Sequence, residues 1–213
     1  MRQPSSLSHD LTSGLADAIS HWIAYKQRCG FEGLLSESML VMPIAEYFIG
    51  HGLAVTAEQD LYRLVQKGKS GVINYDLVAE NRSSSSSLGE AKILVEVKFM
   101  TARGQNHARL HSDFVKLAIP EGQFTRFAVV ARDLNVSFPS FLKETKTYSY
   151  GGGAQHHAIG NTDVRASIAG KLEAYGLEEV TCSVKPAAER ENVVILAVDR
   201  MELPTSVRLD AST

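Results

Sequence analysis

The chain predicts an α/β protein: an αβββαβ core with a central mixed sheet flanked by helices, followed by an extra C-terminal helix and strands. Three observations carry this. Segments with apolar residues at helical spacing alternate with short β-branched runs. Residues 93–100 (ILVEVKFM) are β-branched and apolar apart from Glu96 and Lys98, and residues 124–131 (FTRFAVVA) are apolar through their middle, as a buried strand is. Between these two lies a helical segment, so they are expected to run parallel, joined by a right-handed crossover. A length of 213 residues with 44% hydrophobic content is enough for one packed domain, expected to have its core at about 36–133. Residues 1–30 would add a tail and an N-terminal helix, and residues 134–213 a C-terminal extension.

In chain order, residues 1–8 read as a flexible tail. A helix is expected from Asp10, with Asp10 or Thr12 as N-cap and Leu15, Ile19, Trp22 and Ile23 on its buried face, ending near Gly30. Ser36 is placed to cap a second helix running to about Ile49 and closed by Gly50 and Gly52. Its apolar stripe is Leu40, Val41, Ile44, Tyr47 and Phe48. Residues 53–56 read as a short strand and 62–66 as a further one. The turn KGKSG then leads into a strand over 72–79, and the five serines at 83–87 are too polar to bury and read as a hairpin loop. A helix is expected over 107–118. Beyond the 124–131 strand, residues 139–148 read as a short helix and Gly151–Gly153 as a mobile loop leading to His156 and His157. A helix over 164–175 and strands near 180–184 and 193–198 complete the pattern, the last as an addition at a sheet edge.

The chemistry concentrates between Gly71 and Lys116. Asp76 is the single acid of its strand, and Glu96 and Lys98 interrupt the next one. Side chains alternate along a strand, so Ile93, Val95, Val97 and Phe99 share a core face while Glu96 and Lys98 share the other. Charges on so apolar a strand carry a desolvation cost unless paired, metal-bound or set at a cleft. Antiparallel pairing of the two strands would bring Asp76 beside Glu96. Two carboxylates and an ammonium in one small volume suit a hard divalent cation and hydrolysis of a phosphodiester. An acid-x-lysine pair is also common in solvated sheets, where it has no such role.

The spacing D-x19-E-V-K, with the acid on one strand and E-x-K on the next, resembles the PD-(D/E)XK nuclease superfamily, the restriction-endonuclease-like fold. The resemblance is close from Asp76 to Lys98 and looser from Ser36 to Asp133. Asn74 and Tyr75 stand where the name-giving proline would be. The resemblance implies Mg²⁺ (or Mn²⁺) held by Asp76 and Glu96 with the Val97 carbonyl, and Lys98 beside the attacking water. It also implies a third acid from the preceding helix, for which Glu37 fits and Glu46 is the rival, although an acid in a first turn is stabilised by the helix dipole without any function. Arg103, Arg109 and Lys116 would touch substrate, expected to be DNA; a homodimer is a further possibility of that resemblance.

Composition bounds this reading. The net charge of −2 argues against a nonspecific nucleic-acid coat, but residues 92–116 carry five basic residues against two acidic ones, a local hint of an anionic ligand. Asp113 lies at helical spacing from Arg109 and Lys116 and reads first as an intrahelical partner of either. His107 and His111, at i and i+4, give only a weak zinc signal without the Glu of H-E-x-x-H. No aromatic and basic interleaving announces strand stacking. No apolar run reaches the ~20 residues of a membrane span, and the N-terminus lacks a signal-peptide core. With Cys29 and Cys182 far apart, a cytoplasmic protein is expected. The competing expectation is a catalytically silent member of the same fold acting as a binding or regulatory module; a small-nucleotide phosphoesterase is a third.

Overall fold

A computed structural model of the chain describes residues 4–31, 34–66, 69–81, 92–101, 107–120, 124–133, 135–151, 162–174 and 177–201. Four helices, α1 (Pro4–Arg28), α2 (Glu37–Gly50), α3 (His107–Ala118) and α4 (Thr162–Ala174), surround one seven-stranded mixed sheet among the described residues. The strands are β1 (Leu53–Gln66), β2 (Lys69–Asn81), β3 (Lys92–Met100), β4 (Phe124–Arg132), β5 (Lys146–Gly151), β6 (Glu179–Arg190) and β7 (Val193–Met201), in the spatial order β1-β2-β3-β4-β7-β6-β5. β3 and β4 are the parallel pair expected from their intervening helix, in register from Lys92↔Phe124 to Met100↔Arg132. All other neighbours are antiparallel.

Alternation along β3 divides the protein into two apolar layers. Ile93, Val95, Val97 and Phe99 pack with Leu15, Ile19 and Ile23 of α1 and Leu40, Ile44 and Phe48 of α2. Leu94 and Met100 face the other layer, with Leu110, Phe114 and Leu117 of α3 and Ile168 and Leu172 of α4. Glu96 and Lys98 lie on this second face and are buried. The aliphatic β3 and β4 therefore sit in the middle of the sheet because both their faces are covered.

Several local expectations are corrected. Helix α1 begins at Pro4, so residues 4–8 are helical where a tail was expected: a proline is well placed in a helix's first turn, where its missing N–H has no intrahelical partner anyway. Trp22 is half-buried against the α1–α2 layer, with the Lys26 ammonium over its ring. Ser36 occupies the N-cap position of α2, but its hydroxyl meets Ser38 Oγ at 3.0 Å and caps no backbone N–H. The two short strands expected over 53–66 are one long β1, whose pairing to β2 shifts register between Asp60 and Tyr62, the irregularity that breaks its sequence pattern. Residues 139–148 form a short 3-10 turn (Ser140–Lys143) and then β5, because Tyr148 and Tyr150 enter an aromatic cluster with His111, Phe114 and Phe141. His111 donates to or accepts from the Tyr150 hydroxyl at 2.8 Å within that cluster.

The strand at 193–198 is no edge addition. As β7 it lies between β4 and β6, with Val193, Val194, Ile195 and Leu196 buried. The C-terminal extension is thus part of the sheet. Arg190 at the end of β6 ties it back to α1 through Asp17 (Nη2 to Oδ2, 2.8 Å) and Ser13 (2.9 Å). Gly151, expected in a mobile loop, ends β5 with φ 95°, and a Cβ there would run into the Glu178 backbone. The serine run and residues 152–157 of the glycine-histidine segment lie outside the described residues.

Candidate active site

The site forms where two strands part. β2 pairs with β3 only through Ala79↔Ile93, Val78↔Leu94 and Leu77↔Val95, while β2 continues along β1 to Lys69. Asp76 is the first residue beyond the shared ladder, and continuing the register would set it opposite Glu96. The parting leaves backbone N–H groups of β3 without strand partners, and two acids take them. Asp76 Oδ2 accepts from Val97 N at 2.7 Å, and Glu37 Oε1 accepts from Phe99 N at 3.4 Å. A strand residue's N–H and C=O point to the same side, so the Val97 carbonyl is directed to this opening as well.

Helices on opposite faces of the sheet reach the same gap. Glu37, in the first turn of α2, comes from one side; Asp113 and Lys116 of α3 come from the other. Lys98 Nζ lies 3.2 Å from Glu37 Oε1 and 3.2 Å from Asp113 Oδ2. Lys116 Nζ lies 2.7 Å from Glu96 Oε1 and 5.5 Å from the centre of the Tyr75 ring, whose hydroxyl donates to the Lys116 carbonyl at 2.9 Å. Lys171, from α4, donates to Ser112 Oγ at the margin of this cluster.

The electrostatics follow from burial. Desolvation pushes the Glu96 carboxyl up to about 8; Lys116 pulls it back in part, and the Asp76 and Asp113 charges add to the rise. Burial likewise raises the Asp113 carboxyl, with Lys98 opposing it. Desolvation would lower the Lys98 ammonium, but the charges of Asp113 and Glu37 outweigh it and its affinity for its proton is raised. Lys98 is therefore an ammonium at neutral pH, a donor and a positive charge and not a base.

Of the residues singled out from the sequence, Asp76, Glu96, Lys98, Glu37, Val97 and Lys116 come together here. Glu46 is exposed on α2, and Arg109 is exposed at the start of α3 with no contact to the cluster among the described residues. Arg103 lies outside the described residues. Asp113 does not pair along its own helix but reaches Lys98. Lys171 went unnoticed in the sequence. The available signal was position: Asp113 adjoins Phe114, and Lys171 adjoins Leu172 and follows Ile168 by three, so both stand at the edge of a buried stripe.

Among the described residues no three His, Cys, Asp or Glu side chains converge as a ready-made metal cage, since lysines stand between the acids. The donor chemistry nonetheless fits a hard divalent cation. Asp76 and Glu96 offer carboxylate oxygens across the strand opening; burial is the main cause of the rise of Glu96, and the Asp76 repulsion that adds to it is of the kind a cation relieves. No helix is long and apolar enough to cross a membrane among the described residues. In comparisons with protein-family models, with curated proteins and with solved structures, nothing matches this chain. What fold and site define is therefore a class: an α/β protein with a mixed seven-stranded sheet and a buried carboxylate–lysine cluster at the point where β2 leaves β3.

Proposed function

We propose that the protein is a metal-dependent nuclease of the PD-(D/E)XK type, hydrolysing phosphodiester bonds of nucleic acid, with DNA as the substrate. The observation that carries this reading is the placement of Asp76, its carboxylate on the Val97 N–H beside Glu96 and Lys98 at the end of the β2–β3 ladder. The order of elements from α2 to β4 (α, three strands, α, strand) supports the restriction-endonuclease-like core. Two unlinked cysteines are consistent with a cytoplasmic setting.

In this mechanism Asp76, Glu96 and the Val97 carbonyl would hold Mg²⁺ or Mn²⁺. When bound, such an ion polarises the phosphoryl group and lowers the pKa of a water. Lys98, kept protonated by Asp113 and Glu37, orients the attacking water by donating to its oxygen and steadies negative charge developing on the phosphoryl oxygens. Glu37 also fixes the β3 backbone through Phe99 N, so that the lysine and the Val97 carbonyl keep one spacing. Lys116, 2.7 Å from Glu96, favours the ionised carboxylate that holding a cation would require.

Calorimetric titration with Mg²⁺ and Mn²⁺, paired with cleavage assays on single- and double-stranded DNA and RNA, tests this. Metal binding and DNA cleavage in the wild type, both lost in Asp76→Asn, are the expected result. A wild type that binds neither metal overturns the mechanism. One observation favours the second reading, a catalytically silent binding module: Glu96, Asp113 and Glu37 are each already matched by a lysine. DNA binding without cleavage under any divalent metal would select it.

A further inference from the structure

Lys171 is the lysine of the cluster that no described carboxylate holds. Lys98 is shared by Asp113 and Glu37, and Lys116 is on Glu96, whereas the partner of Lys171 is the Ser112 hydroxyl. It comes from α4, an element outside the αβββαβ core, and its stem is half-buried beside Leu172. A partly desolvated ammonium satisfied by a single neutral hydroxyl is costly unless an anion arrives. The surroundings show the same imbalance. Burial lowers the Lys171 ammonium; Asp113 and Glu96 draw it upward, Lys116 and Lys98 push it down, and the net is lowered. Ser112, itself buried, adds a hydroxyl that can donate to the same anion once the ammonium turns towards it.

We propose that Lys171 and Ser112 form a phosphate-binding subsite, in which the C-terminal extension supplies a contact to the nucleic-acid backbone next to the cleaved bond. This rests on the nuclease reading for the identity of the ligand. It gives α4 a function: the helix carries a cation to the α3 side of the strand opening, where the core's own lysines are occupied by acids. Lys171 binds substrate; it does not touch the reacting water. Its contact is with phosphate and so carries no sequence information, and its loss weakens binding across sequences alike.

The test is binding of a fluorescent 20-nucleotide DNA to the full chain in EDTA, over a range of salt, with cleavage in Mg²⁺ measured separately. Lys171→Met and Lys171→Gln are expected to weaken binding by about tenfold and to reduce the slope of log K against log salt by about one. Lys171→Arg should bind nearly as the wild type does, and thermal melts show that each variant folds. Unchanged affinity and slope in both neutral variants overturn the subsite, as does a wild type that binds no DNA. The nuclease reading fails on a different readout, absence of cleavage by the wild type with metal, which leaves a Lys171-dependent affinity standing.

Discussion

Lys98 has two acids and Glu96 has one lysine, and that asymmetry sets what single changes do. Asp113→Asn removes one of the two charges that hold the Lys98 proton and position its ammonium. Under the proposed nuclease mechanism, cleavage is expected to fall by at least about tenfold in kcat with KM little changed, since the lost interaction acts on the reacting group and not on strand binding. An equal fall in affinity would place Asp113 in substrate binding instead. Glu96 gives a pH signature in the metal-free protein. Its carboxyl titrates near 8 when folded against an ordinary value of 4.5. Between these values the folded state keeps a proton that the unfolded chain has released, so stability is greatest below the lower value and declines as pH rises through the upper one. The decline is up to about 1.4 kcal/mol per pH unit for one such group. Asp113 is raised too and contributes with the same sign. Urea unfolding in EDTA should show this decline, and Glu96→Gln should flatten it; an unchanged profile in the variant would assign the dependence elsewhere. The two thiols differ as sharply: Cys29 is exposed, while burial pushes Cys182 up to about 12. One thiol per chain should react with an alkylating reagent in the native protein, and a second only on unfolding.

Among the elements, β5 and its last residue decide whether the extension can close. Gly151 pairs with Glu179 at the end of the β5–β6 ladder, in a left-handed conformation and against the Glu178 carbonyl. Gly151→Ala meets both the backbone strain and a backbone clash that no side-chain rotation can relieve, and is expected to cost about 2–4 kcal/mol by thermal or denaturant unfolding. A neutral result would mean that β5 detaches freely from β6. The same strand explains why residues 139–148 look helical in sequence. Their aromatic residues Phe141 and Tyr148 join a cluster with His111 in the α3 layer, a purpose that local spacing does not encode.

For the molecule as a whole, residues 36–133 and the C-terminal extension share one sheet, joined through β7. Its neighbours are β4 on one side and β6 on the other, and Val194, Leu196 and Val198 belong to the same apolar layer as α3. A fragment ending at Asp133 would leave β4 as an open, apolar edge, and is expected to aggregate or to lack a cooperative melt. Hydrogen exchange on the full chain should be slowest in β3, β4 and β7, whose backbone bonds lie at the centre of the sheet under both layers, and faster in the edge strand β1. Equal protection in β1 and β4 would contradict that ordering.

Elements whose pattern is local could be read from consecutive residues. The alternation of β3, the apolar run of β4 and the helix between them were legible, as was the nearness of Asp76 to the E-x-K strand, because strand period and spacing are written in consecutive residues. What meets at the strand opening depends on long-range packing. Nothing near Asp113 in the sequence says that it prefers Lys98 to its helical neighbours; the packing of α3 against β3 does. Glu37 prevailed over Glu46 because only the first turn of α2 reaches the Phe99 N–H that β2 leaves open. The insertion of β7 next to β4 follows from covering an apolar edge with whichever strand the chain brings back, and Lys171 arrives with the helix that covers the same face. Such choices depend on contacts between residues far apart in the chain, where desolvation and close packing, and not local propensity, set the energy.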